Sequence, residues 1–142
     1  MKISTDKKVL VIGAGLAGSD AAYFLAQNGV SVVLIESKRK KKNPAQTLDG
    51  FAELVCTNSL KSMDPYSGHG LLKHEMKAFG SLVLECGLET AVPAGNALAV
   101  DREAFSSMIT VRLTNHPNIT VIDEEITDPV MAQKKYGASF CY

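Results

Sequence analysis

Apolar positions fall into short blocks along this chain, and the period of each block predicts its element. Val9-Leu10-Val11-Ile12 is an unbroken apolar run of strand length, ended by Gly13. Ala21, Ala22, Phe24 and Leu25 follow at helical spacing, and Asn28-Gly29 supplies a helix stop. A second apolar run, residues 30–35, closes on Glu36. Further on, Leu72, Met76, Phe79, Val83 and Cys86 recur at intervals of four and three. That spacing predicts one helix through Gly80 with a buried face, Met76 and Phe79 as core, and Gly87 at its end. Residues 97–100 read as a short strand. Asp101 is placed to cap a helix with Phe105, Met108, Ile109 and Leu113 on its buried face, stopped at Asn115-His116-Pro117. Residues 119–122 form a further strand, and Ile126 begins another short run.

Two stretches lack a period. Residues 45–70 read as a long loop, a type of segment that is usually functional. Residues 129–142 show no clear period and are not expected to complete an α/β unit. The division expected is therefore 1–128, the N-terminal part of one domain behind a polar lead of residues 1–7, and 129–142, a divergent tail from truncation or frameshift.

Between the first two apolar runs stands Gly13-Ala14-Gly15-Leu16-Ala17-Gly18, a G-x-G-x-x-G turn opening a helix. Each glycine has a chemical reason. Gly13 permits the tight turn, Gly15 lets a diphosphate approach the backbone, and Gly18 lets helix and strand pack closely. The helix N-terminus favours a bound diphosphate through its free N–H groups and partial positive charge. At the end of the second strand, Glu36 is placed to accept hydrogen bonds from a ribose diol, and it would repel the 2′-phosphate of NADP. These features predict an α/β, Rossmann-like dinucleotide-binding domain with Gly13, Ala14, Gly15, Leu16, Ala17, Gly18 and Glu36 on the ligand. The motif alone does not separate FAD from NAD.

Composition changes this picture little. The 142 residues are 46% hydrophobic and 21% charged, with 15 basic and 15 acidic side chains. Zero net charge gives no global support for a nucleic-acid partner. No apolar run approaches a membrane span, and a cytoplasmic chain is expected. Lys38-Arg39-Lys40-Lys41-Lys42 is expected as a solvated loop. The alternative is that the run faces a phosphate or RNA on the ligand side of the sheet.

Three cysteines without a C-x-x-C pair fit reduced thiols. Cys86 lies on the apolar helix face and is expected in the core, and Cys141 falls in the tail. Cys56 lies in the long loop, within Leu54-Val55-Cys56-Thr57-Asn58-Ser59. It reads either as a small buried hydrophobe or as a nucleophile. His69, His74 and His116 have no metal-ligand spacing, and no metal site is expected.

Longer phrases carry a resemblance. They are Val11-Ile12-Gly13-Ala14-Gly15-Leu16-Ala17-Gly18-Ser19, Phe51-Ala52-Glu53-Leu54-Val55-Cys56-Thr57-Asn58-Ser59-Leu60-Lys61-Ser62, Val92-Pro93-Ala94-Gly95 and Ala97-Leu98-Ala99-Val100-Asp101-Arg102-Glu103. Gly70-Leu71-Leu72-Lys73, Gly80-Ser81-Leu82 and His116-Pro117-Asn118-Ile119 add to them. Over residues 7–127 the chain resembles the N-terminal part of the folate- and FAD-dependent tRNA (uracil-5-)-methyltransferases, the family related to glucose-inhibited division protein A. The resemblance implies an incomplete FAD-binding domain. It also implies transfer of a one-carbon unit from 5,10-methylenetetrahydrofolate to C5 of a T-loop uridine in tRNA, with NAD(P)H supplying electrons. Cys56 corresponds to one of two thiols implicated in the family, whether it attacks the base, serves as acid or base at C5, or supports the flavin.

Departures accompany the match. The family's His-His pair before the phenylalanine is replaced in the stretch Ala45-Gln46-Thr47-Leu48, and Thr57 stands where the family has serine. The second thiol and the return strand of the FAD domain would lie beyond Tyr142, so the chain alone is expected not to methylate tRNA. The rivals are a truncated, non-catalytic FAD-binding chain and another FAD-dependent oxidoreductase in which Cys56 is structural.

Overall fold

The computed structural model describes residues 8–141. The polar lead, residues 1–7, lies outside them, as does the side chain of Cys141. In chain order the elements are β1 (Lys8–Ile12), α1 (Leu16–Gln27), β2 (Ser31–Glu36), β3 (Ser59–Ser62), α2 (Gly68–Ala78), α3 (Leu82–Glu89), β4 (Ala91–Val92), β5 (Ala97–Val100), α4 (Arg102–Thr114), β6 (Ile119–Asp123), α5 (Pro129–Tyr136) and β7 (Phe140–Cys141).

The predicted βαβ unit forms. β1 and β2 are parallel, with Leu10 opposite Val33 and Ile12 opposite Ile35, and α1 makes the crossover. β6 adds in parallel beside β2, and β7 beside β1, to give the order β6-β2-β1-β7. A parallel sheet must be covered on both faces. Period-two alternation sorts its side chains accordingly. Val9, Val11, Val32 and Leu34 enter the larger core with α1, α3 and α4, while Leu10, Val33 and Ile35 turn to the other face and meet Ala132 of α5.

That second face corrects the reading of residues 129–142 as aperiodic and outside any α/β unit. Asp128 caps α5 by accepting from the Val130 and Met131 N–H groups, Gly137 ends it in the left-handed region at φ 62°, and β7 then joins the sheet. A single buried position, Ala132, anchors a helix of eight residues, too little apolar content for a period to show. Ile126 starts no strand; it packs, half-buried, on this same second face.

The long helix expected through Gly80 is two helices. Gly80 adopts φ 70°, α2 ends before it, and Ser81 caps α3 by accepting from the Leu84 N–H at 3.1 Å. The break turns the two halves of the apolar stripe apart. Val83 and Cys86 are core, whereas Phe79, expected there, is 71% exposed, and Met76 is half-buried. Gly87 does not end α3, which runs on to Glu89. A Cβ at Gly87 would stand 2.9 Å from Leu60 Cδ1, so glycine permits close approach of α3 to β3.

The loop expected over residues 45–70 holds β3 and the start of α2. β3 pairs antiparallel with β5, and β4 with β5, in a second sheet ordered β3-β5-β4. Ser-Leu-Lys-Ser offers no clear alternation, and Lys61 interrupts its register at φ 69°. Asp101 caps α4 as predicted, accepting from the Ala104 N–H at 3.0 Å. Phe105, Ile109 and Leu113 are fully buried, and Met108 is half-buried.

Candidate functional site

The site begins where β1 ends. Gly13 makes the turn at φ 97°, a region open to glycine. Gly18 sits so close beneath it that a Cβ would stand 1.9 Å from the Gly13 carbonyl oxygen. At Gly15 a Cβ would meet nothing within 4 Å, so this point of the backbone faces open space.

The N-terminus of α1 differs from those of the other helices. Ser67 caps α2, Ser81 α3, Asp101 α4 and Asp128 α5, each through a side-chain oxygen. Gly15 caps α1 with no side chain. The first-turn N–H groups of α1 therefore receive no protein oxygen from a cap side chain. A helix end of this kind is suited to an anion.

Glu36 is bonded into the turn. Its Oε2 accepts from the Ala14 N–H at 2.6 Å and its Oε1 from the Lys38 N–H at 2.8 Å. Each carboxylate oxygen keeps further acceptor capacity, as a ribose diol would require. Ala14 also binds through its carbonyl, which accepts from the Ser19 hydroxyl at 3.2 Å and from the Ala52 N–H at 2.8 Å. The second bond ties the long loop directly to the glycine turn. Ala52 makes it from a left-handed conformation, φ 50°, that costs a non-glycine residue about 1–2 kcal/mol.

A buried ion pair holds the same loop. Lys38, expected to be solvated with its four neighbours, is 4% exposed. Its ammonium donates to Glu53 Oε2 at 2.9 Å and to the Gly50 carbonyl at 2.7 Å. Glu53 Oε1 accepts from the Thr47 and Leu48 N–H groups at 2.8 and 3.0 Å. Burial pushes the Glu53 carboxyl up, but these donors and the Lys38 ammonium outweigh it and hold it down at about 2. The other cations of the run are partly matched by acids: Arg39 pairs with Asp123, Lys41 with Glu125 and Lys42 with Asp49. No sequence spacing marked Lys38 and Glu53 as partners, because Lys38 looked like the others in its run.

After Leu54 the loop turns outward. Phe51, Ala52 and Leu54 turn inward, whereas Val55 is 41% exposed and Cys56 is exposed. The reading of Cys56 as a small buried hydrophobe is thus overturned. Cys86 is fully buried, and burial pushes its thiol up to about 11. The Asn58 amide is already used, donating to the Val100 carbonyl at 3.3 Å. Among the described residues no group of three or more His, Cys, Asp or Glu side chains is placed to hold a metal ion. No helix among them is long and apolar enough to cross a membrane.

Residues 8–138 match the family described as Glucose inhibited division protein A. The chain belongs to that family. Among curated members, the methylenetetrahydrofolate--tRNA-(uracil-5-)-methyltransferase TrmFO of Anaeromyxobacter dehalogenans (strain 2CP-C) is 53% identical over 123 residues, 87% of this chain and 27% of that protein. The protein of the same name from Persephonella marina is 56% identical over 120 residues, 84% of this chain and 28% of that protein. The chain thus spans little more than a quarter of the length of these relatives. Its fold is also that of Thermovibrio ammonificans THI4, whose crystal structure covers 84% of this chain and 38% of its own at TM-score 0.50 and 17% identity. The glycine turn, Glu36 and Cys56 all fall inside the stretch matched to the glucose inhibited division protein A family.

Proposed function

We propose that this chain binds FAD at the glycine turn, as the N-terminal part of a folate- and FAD-dependent tRNA (uracil-5-)-methyltransferase. The observation that carries the binding is the N-terminus of α1. Among the described residues four helices are capped by a side chain, and the one that opens at Gly13-Ala14-Gly15 is not. A diphosphate supplies the missing acceptor, seated over Gly15 where a side chain would project. Glu36 accepts from the ribose hydroxyls while its bond to Ala14 holds the turn. Its charge disfavours the 2′-phosphate of NADP. Membership of the glucose inhibited division protein A family supports FAD rather than NAD.

In the complete reaction, reduced FAD takes part in moving the one-carbon unit of 5,10-methylenetetrahydrofolate to C5 of a tRNA uridine, and NAD(P)H supplies the electrons. This chain contributes the nucleotide site and Cys56. The Ala52–Ala14 bond and the Lys38–Glu53 pair set the loop of Cys56 against the glycine turn. The thiol is exposed, as a group that acts on the flavin or on the base must be. A cytoplasmic location follows for an enzyme acting on tRNA.

The test is a titration of the purified chain with FAD, NAD and NADP. FAD is expected to bind tightest, and Gly15→Val is expected to weaken it by roughly tenfold or more, with only the small loss of melting temperature that a poorer helix cap brings. NADP binding as tight as FAD, or full FAD affinity in Gly15→Val, overturns the reading.

A further inference from the structure

Hydrogen bonds close a ring between the glycine turn and the loop of Cys56. Glu36 Oε2 accepts from the Ala14 N–H at 2.6 Å, and the Ala14 carbonyl accepts from the Ala52 N–H at 2.8 Å. The chain then passes to Glu53, whose Oε2 accepts from the Lys38 ammonium at 2.9 Å. The Lys38 N–H donates to Glu36 Oε1 at 2.8 Å and completes the circuit. Lys38 therefore holds both sides. Its main chain fixes the carboxylate assigned to the ribose, and its side chain fixes the loop. The Lys38–Glu53 link is the one in the ring made between two side chains, so it can be cut with no change to the glycine turn or to Glu36.

The loop has reason to open where the ring does not hold it. Residues 43–58 form neither helix nor strand, and Thr47 and Asp49 are exposed. Ala52 stands at φ 50°, a conformation that a non-glycine residue keeps only under restraint. Backbone of this kind opens locally, without unfolding of the core. Phe51 is fixed independently, since its carbonyl accepts from the Ser106 hydroxyl at 2.6 Å and its N–H donates to Thr110 Oγ1 at 2.8 Å. What the ring adds is order on either side of Phe51. Before it, the Thr47 and Leu48 N–H groups donate to Glu53 Oε1 at 2.8 and 3.0 Å. After it, Glu53 leads directly to Val55 and Cys56.

We propose that Lys38 is a positioning residue, which couples nucleotide bound at the glycine turn to the order of the loop that carries Cys56. Ribose hydroxyls donating to Glu36 favour the placement in which its carboxylate also accepts from Ala14 and Lys38. That placement is the closed ring. By linkage, bound nucleotide stabilises the ordered loop, and the ordered loop favours nucleotide. Cys56 is then held in place when the nucleotide is present. The inference rests on the nucleotide site proposed above and adds a coupling to it.

The test is amide hydrogen exchange, residue by residue, with and without saturating ADP. ADP carries the diphosphate and the ribose but no flavin ring, so flavin contact with the loop cannot produce the effect. Calorimetry sets the saturating concentration for each chain. ADP is expected to slow exchange of the Thr47 and Leu48 amides roughly tenfold. The Asn118 amide, bonded to His116 Nδ1 at 3.1 Å at the other end of the sheet, is the control and should not change. The variant Lys38→Met with Glu53→Gln cuts the ring and leaves no unpaired buried charge. The glutamine carbonyl still accepts from Thr47 and Leu48. This variant is expected to bind ADP more weakly and, at saturation, to gain less than about twofold protection. Equal protection in parent and variant overturns the role of Lys38. ADP binding to the parent without protection of the loop overturns the coupling and leaves the nucleotide site standing. If the parent binds no ADP, the nucleotide site falls and the coupling with it. Should the double variant not melt cooperatively, Glu53→Gln alone cuts the same link and gives the comparison.

Discussion

Single atoms decide how the glycine turn is built. Gly15 and Gly18 belong to one motif, yet they answer to different constraints. Gly15 faces open space at an ordinary φ of −73°, so neither packing nor backbone conformation demands glycine there. Gly18 is set against the Gly13 carbonyl, so its requirement is for the fold. Gly18→Ala is expected to cost about 1–3 kcal/mol by overpacking, read as a lower urea midpoint without any ligand present. Gly15→Ala, which meets no atom and loses only cap preference, should lower that midpoint less. The Lys38–Glu53 pair is a second residue-scale device. With Lys38→Met the buried Glu53 carboxylate loses its counter-charge, and about 3 kcal/mol of stability should go with it. The pH dependence has a definite sign. The Glu53 carboxyl titrates at about 2 when folded against about 4.5 unfolded. Its contribution is fully present above pH ~4.5 and is lost as pH falls towards ~2. Urea melts across that window should show a shallower decline for Glu53→Gln than for the parent chain. An equally steep decline would remove Glu53 as the cause.

Elements show what was legible in the chain and what was not. The βαβ unit and α4 could be read directly, because unbroken apolar runs mark the strands and Asn28-Gly29 and Asp101 mark the helix ends. The glycine turn and Glu36 were legible for the same reason, since their spacing is local. Failure came where one period ran across two elements. Leu72 to Cys86 keeps a helical spacing through Gly80, and spacing alone cannot report that Gly80 sits at φ 70°. The Ser81 side chain, which caps α3 and also donates to Asp20 at 2.6 Å, was the missed signal. α5 and β7 escaped because each buries too little to leave a pattern. The Lys38–Glu53 and Ala14–Ala52 links escaped because they join residues brought together by the fold. The broken helix has a consequence opposite to that of a continuous one. In an unbroken helix Gly80→Ala would stabilise by up to about 1 kcal/mol. At φ 70° it should instead destabilise by about 1 kcal/mol. A rise in thermal midpoint for Gly80→Ala would show the helix to be continuous.

Across the whole molecule, one core joins the two sheets. Val9, Val11, Val32 and Leu34 of the parallel sheet share it with Leu98 and Val100 of β5, and Cys86 of α3 lies fully buried among them. Cys56 is the contrary case, exposed on the loop that Ala52 ties to the glycine turn. The two thiols therefore report on different events. A disulfide reagent at a pH of about 8 should modify Cys56 at once in the folded chain, since the reaction needs only access and some thiolate. Cys86 is shut off twice, by burial and by a thiol pushed up to about 11. Its modification requires the shared core to open, so its rate should follow global unfolding and rise with urea along the same free-energy slope as the loss of secondary structure. Mass mapping distinguishes the two sites. Gly18→Ala should speed modification of Cys86 about tenfold for each ~1.4 kcal/mol of stability it removes and leave Cys56 unchanged. If Cys86 reacts faster than global unfolding allows, the sheet of β3, β5 and β4 opens independently of the nucleotide sheet, and the two are separate cooperative units.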